Sequence, residues 1–305
     1  MKWQKKGHIY GPSGTPSWAQ NSALTPTPIL LNPDTIRVYA GFRDSQGVSR
    51  IGFVDVDSNN PGKVLRVSET PALDIGQPGA FDDNGVILGD VIKVGESLHM
   101  YYVGFQLVAK AKFLAFSGLA VSTDGGDSFK RVSAAPVLDR ANEGIYIRAI
   151  HSVHLENSRF RAWYACDDGW ELIDGKPYPR YQIRHVSSAN GIHFDQETQP
   201  CIPLSGDEYR IGRPRVFFVK GQRYMHFTWG TPQGDYFPGL AKSDDGLHWT
   251  RIDDQLGISL APQGWDSKHL CYPALLQVND KTLMFYNGNN MGLEGFGWAE
   301  LESTE

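Results

Sequence analysis

The sequence predicts an all-β protein, a five-bladed β-propeller whose blades have four antiparallel strands and whose ring is closed by the N-terminal strand. Three observations predict it. A tight hairpin recurs five times at a spacing of about sixty residues, the signature of a repeat architecture. A second turn with a shared pattern follows the hairpins. The runs between turns are short, β-branched or aromatic, and none has helical periodicity.

The hairpins are Leu31-Asn32-Pro33-Asp34-Thr35-Ile36, Val94-Gly95-Glu96-Ser97-Leu98, Leu155-Glu156-Asn157-Ser158-Arg159-Phe160, Val219-Lys220-Gly221-Gln222-Arg223-Tyr224 and Val278-Asn279-Asp280-Lys281-Thr282-Leu283. Each leads into a strand: Val38-Tyr39-Ala40, His99-Met100-Tyr101-Tyr102, Arg161-Ala162-Trp163-Tyr164, Met225-His226-Phe227 and Leu283-Met284-Phe285-Tyr286. The second turns centre on Asp124-Gly125, Asn190-Gly191 and Asp245-Gly246, dipeptides suited to the positive φ that such hairpins need. Ile51–Asp57 and Phe296–Leu301 are weaker relatives of the strands before these turns. The last blade has only three strands before Glu305. Lys2-Trp3-Gln4-Lys5-Lys6 supplies the fourth, with Trp3 in the place of Phe129, Phe194 and Trp249 in an aromatic-x-basic pattern. Closure in this way removes a free sheet edge. The whole chain, 1–305, is read as a single propeller domain.

Composition narrows the function. A net charge of -5 argues against nucleic acid or an anionic membrane as partner. No apolar run reaches the roughly 20 residues of a membrane span, and the first residues lack the apolar core of a signal peptide. Cys166, Cys201 and Cys271 are odd in number and lack metal spacing, which suits reduced thiols in a cytoplasmic protein.

The acids repeat with the hairpins. Twelve residues before the hydrophobic residue that opens each of four hairpins stand Asp82, Glu143, Asp207 and Asp266; the first hairpin has Ala19 there, followed by Gln20 and Asn21. Carboxylates at one register of a radial repeat are expected to converge on its axis. Side-chain alternation favours Asp83 and Glu208, one residue on, as the inward members, with Asp82 close behind. The connections between second and third strands are longer than a hairpin needs, and they lie on the face where the first strands begin. That face is expected to bind a carbohydrate through Asn21, Arg43, Arg148, His151, Asp168, Trp170, Arg213, Tyr236, Lys268, His269 and Tyr272. Flat rings stack on sugar faces, while amides, carboxylates and guanidinium groups fix hydroxyls.

The whole chain resembles the five-bladed propeller superfamily of arabinanases, invertases and levansucrases, with related mannoside phosphorylases. Asp82-Asp83-Asn84-Gly85 before Val86-Ile87 is similar to the invertase motif Asp-Pro-Asn-Gly before a hydrophobic strand. Glu208, before Tyr209-Arg210-Ile211-Gly212-Arg213-Pro214, resembles the acid-bearing Glu of that superfamily. The resemblance implies glycoside-hydrolase chemistry on a small glycoside or polysaccharide precursor, by channel-facing carboxylates drawn from Asp83, Glu208, Asp82, Glu143 and Asp266. One would protonate the leaving oxygen while another attacks carbon or activates water. Two family features are missing: the first blade has no acid at its start, and blade three reads Tyr146-Ile147-Arg148 where an acid would stand. The alternative is a catalytically silent propeller that binds a sugar or a protein loop at the same face. An acidic ring can also hold a divalent cation, with His151 or His269 nearby; no other cofactor is expected. The Ser-x-Asp-Gly elements resemble sialidase Asp-boxes, and Ser122, Asp124, Ser243 and Asp245 are expected to serve their turns rather than a site.

Overall fold

The computed structural model describes residues 1–195 and 199–303. Apart from a 3₁₀ turn at Asp253–Gln255 and a helical turn at Asn289–Gly292, its regular structure is β. Strands β2 (Asn21–Asn32), β3 (Thr35–Arg43), β4 (Ser49–Asp57) and β5 (Val64–Val67) form one antiparallel meander. The next is β6 (Val86–Val94), β7 (Ser97–Gln106), β8 (Leu114–Ser122) and β9 (Lys130–Arg131). Then come β10 (Ile147–Glu156), β11 (Arg159–Ile173), β12 (Lys176–Ser188) and β13 (Gln199–Ile202). They are followed by β14 (Arg210–Val219), β15 (Gln222–Thr231), β16 (Gly234–Ser243) and β17 (Thr250–Arg251). Finally β18 (Cys271–Val278), β19 (Lys281–Asn287) and β20 (Phe296–Ser303) are joined at the outer edge by β1 (Lys2–Tyr10). Short parallel pairings of β8 with β10 and β12 with β14 merge three meanders into one twelve-stranded sheet.

Trp3 pairs with Leu301 and Gly7 with Trp298, so the N-terminal segment supplies the missing strand as the sequence indicated. The innermost strands touch in cyclic order: β2 with β6, β6 with β10, β10 with β14, β14 with β18, and β18 with β2. Their flanks bury the core. Tyr39, Tyr101, Tyr102, Trp163, Tyr164 and Phe227, all from second strands, are among its largest members.

The shared turns lock neighbouring meanders together. Tyr39 on β3 donates its hydroxyl to the Gly126 carbonyl of the following meander, at 2.8 Å. Tyr101 on β7 does the same to Gly191 at 3.0 Å, and the indole N–H of Trp163 on β11 to Gly246 at 2.8 Å. Inside each turn a serine does the local work: Ser122 Oγ accepts from the Gly126 N–H at 2.9 Å, and Ser243 Oγ from the Gly246 N–H at 2.8 Å. Asp124 accepts from Ser122 and Ser128 and Asp245 from His248 and Leu247, and against the opposing effect of burial these bonds hold both carboxyls low, near 2 for Asp124. Latches of this kind explain why the motif recurs without entering a site.

A second recurrence leaves little trace in the sequence pattern. Every innermost strand carries one extra residue at the same height. The register breaks between Leu24 and Thr27, Leu88 and Asp90, Ile150 and Ser152, Gly212 and Arg215, and Cys271 and Ala274. Thr25, Arg213 and Tyr272 sit there with φ of 53°, 53° and 55°, each followed by proline. Proline is tolerated in a strand at a bulge, where no ladder bond is needed. Gly89 holds the equivalent place on β6, where a Cβ would lie 2.2 Å from the Ile150 carbonyl oxygen. The five bulges pinch the space between the strands.

Candidate functional site

Four of the five expected catalytic acids are each held by a cation. In three meanders the acid before the first strand is clasped by the basic residue of the outer strand. Asp82, 1 % exposed, takes Arg131 Nε at 2.7 Å and the Tyr102 hydroxyl at 3.1 Å. Glu208 places both oxygens on Arg251 Nη1, at 2.7 and 2.8 Å, and accepts the Ser205 N–H at 2.9 Å. Asp266 receives Lys5 Nζ at 2.6 Å and the Tyr286 hydroxyl at 2.9 Å. Arg131, Arg251 and Lys5 are the basic members of the aromatic-x-basic pattern. The clasp therefore ties the outer strand of a meander to the start of its first strand. Glu143 is instead paired with Arg148 Nη2 at 2.8 Å. Asp83, half-buried, accepts the Gly79 N–H at 2.8 Å and has no cationic partner among the described residues.

Four of the expected binding residues do meet. Arg213 Nη1 donates to His151 Nδ1 at 3.2 Å and to the Leu88 carbonyl at 3.2 Å. Its guanidinium stands 5.1 Å from the centre of the Tyr272 ring. Tyr272 meets Tyr236 edge-on, with centroids 5.6 Å apart. Arg210 covers Tyr236 at 4.5 Å and Tyr209 at 4.8 Å. Tyr181, opposite Arg210 in the β12–β14 pairing, completes the cluster. Burial drives the Tyr272 and Tyr181 hydroxyls far above the ordinary phenol range, so both keep their protons. Burial and the adjacent Arg213 and Arg215 push His151 well below 6.5, so the imidazole is neutral. Its Nδ1 faces a donor, which places the ring proton on Nε2.

Tyr236 also lines a cleft of about 390 Å³ with Phe237, Pro238, Leu260, Lys268 and His269. Lys268 is exposed, and its backbone N–H is capped by Asn289 Oδ1 at 2.7 Å. His269 Nδ1 accepts the Asn290 N–H at 3.2 Å. The other expected residues are dispersed. Trp170 stacks on Tyr146, centroids 4.5 Å apart and planes 17° apart, with Asp168 exposed beside it. Asn21 pairs with Arg43 in the β2–β3 ladder, and no side-chain partner of Arg43 is found among the described residues. Arg148 is held by Glu143 and the Asp139 carbonyl.

Sequence reasoning missed Tyr181 and Thr25. The residue before proline was the available signal for the bulges, while Tyr181 carried none. Among the described residues no cluster of three or more His, Cys, Asp or Glu side chains is arranged to hold a metal ion. All three cysteines are buried thiols, and burial raises Cys166 and Cys201 to about 12. No helix of the described residues is long and apolar enough to cross a membrane.

Two Mycobacterium tuberculosis proteins, described as Uncharacterized protein Rv1502 (strain H37Rv) and Uncharacterized protein MT1551 (strain CDC 1551), are each 33% identical to this chain over 306 residues, covering 99% of it and 100% of each relative. The chain belongs to their family. No family model matches it. Among solved structures, a complex of BT0996 with RGII superposes with a TM-score of 0.73 at 15% identity, over 98% of this chain and 93% of that one. A thermostable family-43 glycoside hydrolase gives 0.69 at 16%, over 95% and 91%. A structure of the GH130 family of mannoside phosphorylases, which contains hydrolases that target β-1,2 mannosidic linkages in Candida mannan, gives 0.69 at 14%, over 99% and 94%. The chain thus shares its all-β fold with glycoside hydrolases.

Proposed function

We propose that this chain is a single five-bladed propeller that recognises a small carbohydrate on the face where its first strands begin. The cyclic contacts of β2, β6, β10, β14 and β18, together with the β1–β20 pairing, support the closed ring. The cleft beside Tyr236 carries the functional reading. Its 390 Å³ lies within the roughly 300–1,000 Å³ of small-molecule sites. Tyr236 and Phe237 offer ring surfaces, and Lys268 and His269 offer polar groups, the mixture that a hydroxyl-rich ring demands.

Recognition is favoured over hydrolysis because the acids are already engaged. Hydrolysis needs one carboxyl that delivers a proton and another that attacks or activates water. Asp82, Glu208, Glu143 and Asp266 each neutralise a cation instead. A hydrolytic second reading keeps one observation in its favour: among the described residues Asp83 is bound by a single backbone N–H and no cation. In that reading Asp83 is the base or nucleophile.

The test is calorimetric titration with a panel of mono- and disaccharides, for the wild type and for Tyr236→Ala and Lys268→Ala. Wild type binds at least one sugar. Tyr236→Ala weakens that binding by roughly tenfold, the scale of one lost aromatic contact, at an almost unchanged melting temperature. Full affinity in both variants, or no sugar bound by wild type, would remove the cleft as the site.

A further inference from the structure

We propose that Arg213 is the seat for the carboxylate of an acidic sugar, whose ring lies in the Tyr236 cleft while its anionic tip enters the pinch between the innermost strands. The proposal deepens the carbohydrate reading and rests on it for the ring, though not for the tip.

The guanidinium is unusual in what it lacks. Among the described residues only Nη1 is used, by Leu88 and His151. The Nε–H and both Nη2–H groups have no protein partner among the described residues, and no described carboxylate lies within 4 Å. Arg215, two residues along the same strand, is by contrast neutralised by Asp90 at 2.7 Å. An Nε/Nη2 edge left open is the fork that binds a carboxylate through two parallel bonds.

Its surroundings complete the seat. His151 is neutral, so it neither competes as an anion nor repels Arg213 as a cation, and its Nε2–H has no partner among the described residues. Tyr272 remains a protonated donor, and its ring covers one face of the guanidinium. An incoming anion is thereby steered to the edge. The void at this height, bordered by Thr25, Gly89, His151, Arg213 and Tyr272, measures about 20 Å³. A single water needs roughly 10–15 Å³ on this scale, so the void suits one or two oxygens rather than a sugar ring or a hydrated phosphate. Tyr236 lies next to both, since it lines the cleft and meets Tyr272, which borders the void.

The experiment compares glucuronate, glucose, glucose 6-phosphate and acetate at fixed ionic strength, by titration and by thermal shift, in wild type, Arg213→Met and Arg213→Lys. Glucuronate binds wild type at least tenfold tighter than glucose. The ratio falls towards one in Arg213→Met and recovers only partly in Arg213→Lys, which keeps the charge without the fork. Arg213→Lys also serves as the folded control if Arg213→Met is unstable. Equal affinity for glucuronate and glucose in wild type overturns the seat and leaves the sugar reading intact. An Arg213-dependent preference for the phosphate ester overturns the carboxylate assignment. If no sugar binds but acetate stabilises wild type and neither variant, the seat stands and the sugar reading fails. If acetate is also without effect, the seat falls too.

Discussion

Glu208→Gln separates the two roles a carboxylate can have at this position. The side chain is 5 % exposed and both its oxygens lie within 2.8 Å of Arg251 Nη1. The amide turns one acceptor into a donor that points at another donor. Removing one partner of a buried ion pair costs about 3–5 kcal/mol. Arg251 is 20 % exposed and keeps Asp253, at 2.6 Å from Nη2, so the loss falls at or just below the bottom of that range, about 2–3 kcal/mol. For a chain of 305 residues that corresponds to a drop of roughly 3–5 °C in melting temperature. Calorimetric melting of Glu208→Gln, Arg251→Met and the double variant measures it, and the coupling energy of the cycle should be about 1 kcal/mol or more. A general acid behaves otherwise: the amide would leave the melting temperature untouched while abolishing turnover of a glycoside with a poor leaving group. That outcome would refute the clasp and restore Glu208 to chemistry.

Two further variants probe the frame. Gly89→Ala brings a Cβ to 2.2 Å from the Ile150 oxygen and 2.8 Å from the Tyr101 oxygen, so stability should fall by about 1–3 kcal/mol in a urea melt; an unchanged midpoint would mean that the inner strands are not tightly apposed there. His226 is fully buried and its ring is pushed down to about 4, so the unfolded chain takes up its proton near 6.5 while the folded one does not. Stability is then complete above about pH 6.5 and is lost as pH falls towards 4, by up to about 1.4 kcal/mol per unit for this group. Melting of His226→Phe between pH 7.5 and 4.5 should show a shallower slope than wild type; parallel slopes would exclude His226 as a contributor.

Much of the fold was legible because a repeat writes its own needs into every copy. The five hairpins, the shared turns and the β1 segment follow from Gly, Asn and Asp at fixed offsets, and from Trp3 standing where Phe129 and Trp249 stand. The same logic says less about chemistry. Asp82 and Asp266, like Glu208, clasp the outer strands of their meanders, and a feature shared by several copies describes the scaffold. A binding site around an axis is asymmetric, so its residues are those that differ at one height. Thr25, Gly89, His151, Arg213 and Tyr272 share a bulge and no chemistry, and a register of identical types passes over them. Pairings that depend on tertiary distance were beyond any spacing rule, such as Arg251 rather than Arg210 or Arg213 as the partner of Glu208.

The pairing of β1 with β20 sets a timing problem for the nascent chain. Lys2 lies opposite Ser303, so β1 leaves the ribosome about 290 residues before its partner, or about 15–60 s at ordinary elongation rates. For that interval a nine-residue strand rich in lysine waits unpaired, and the outer edge of β20 has no cover until the wait ends. Alternating Lys2, Gln4 and Lys6 with Trp3 and Lys5 keeps the waiting segment charged and so a poor template for other chains. The seam joins segments made far apart in time through the β1–β20 ladder and the ion pairs Lys2–Glu302, Lys5–Asp266 and Lys6–Glu300. A bulky fusion placed directly before Lys2 would load that seam, whereas one in the exposed turn at Asn157-Ser158 would leave it closed.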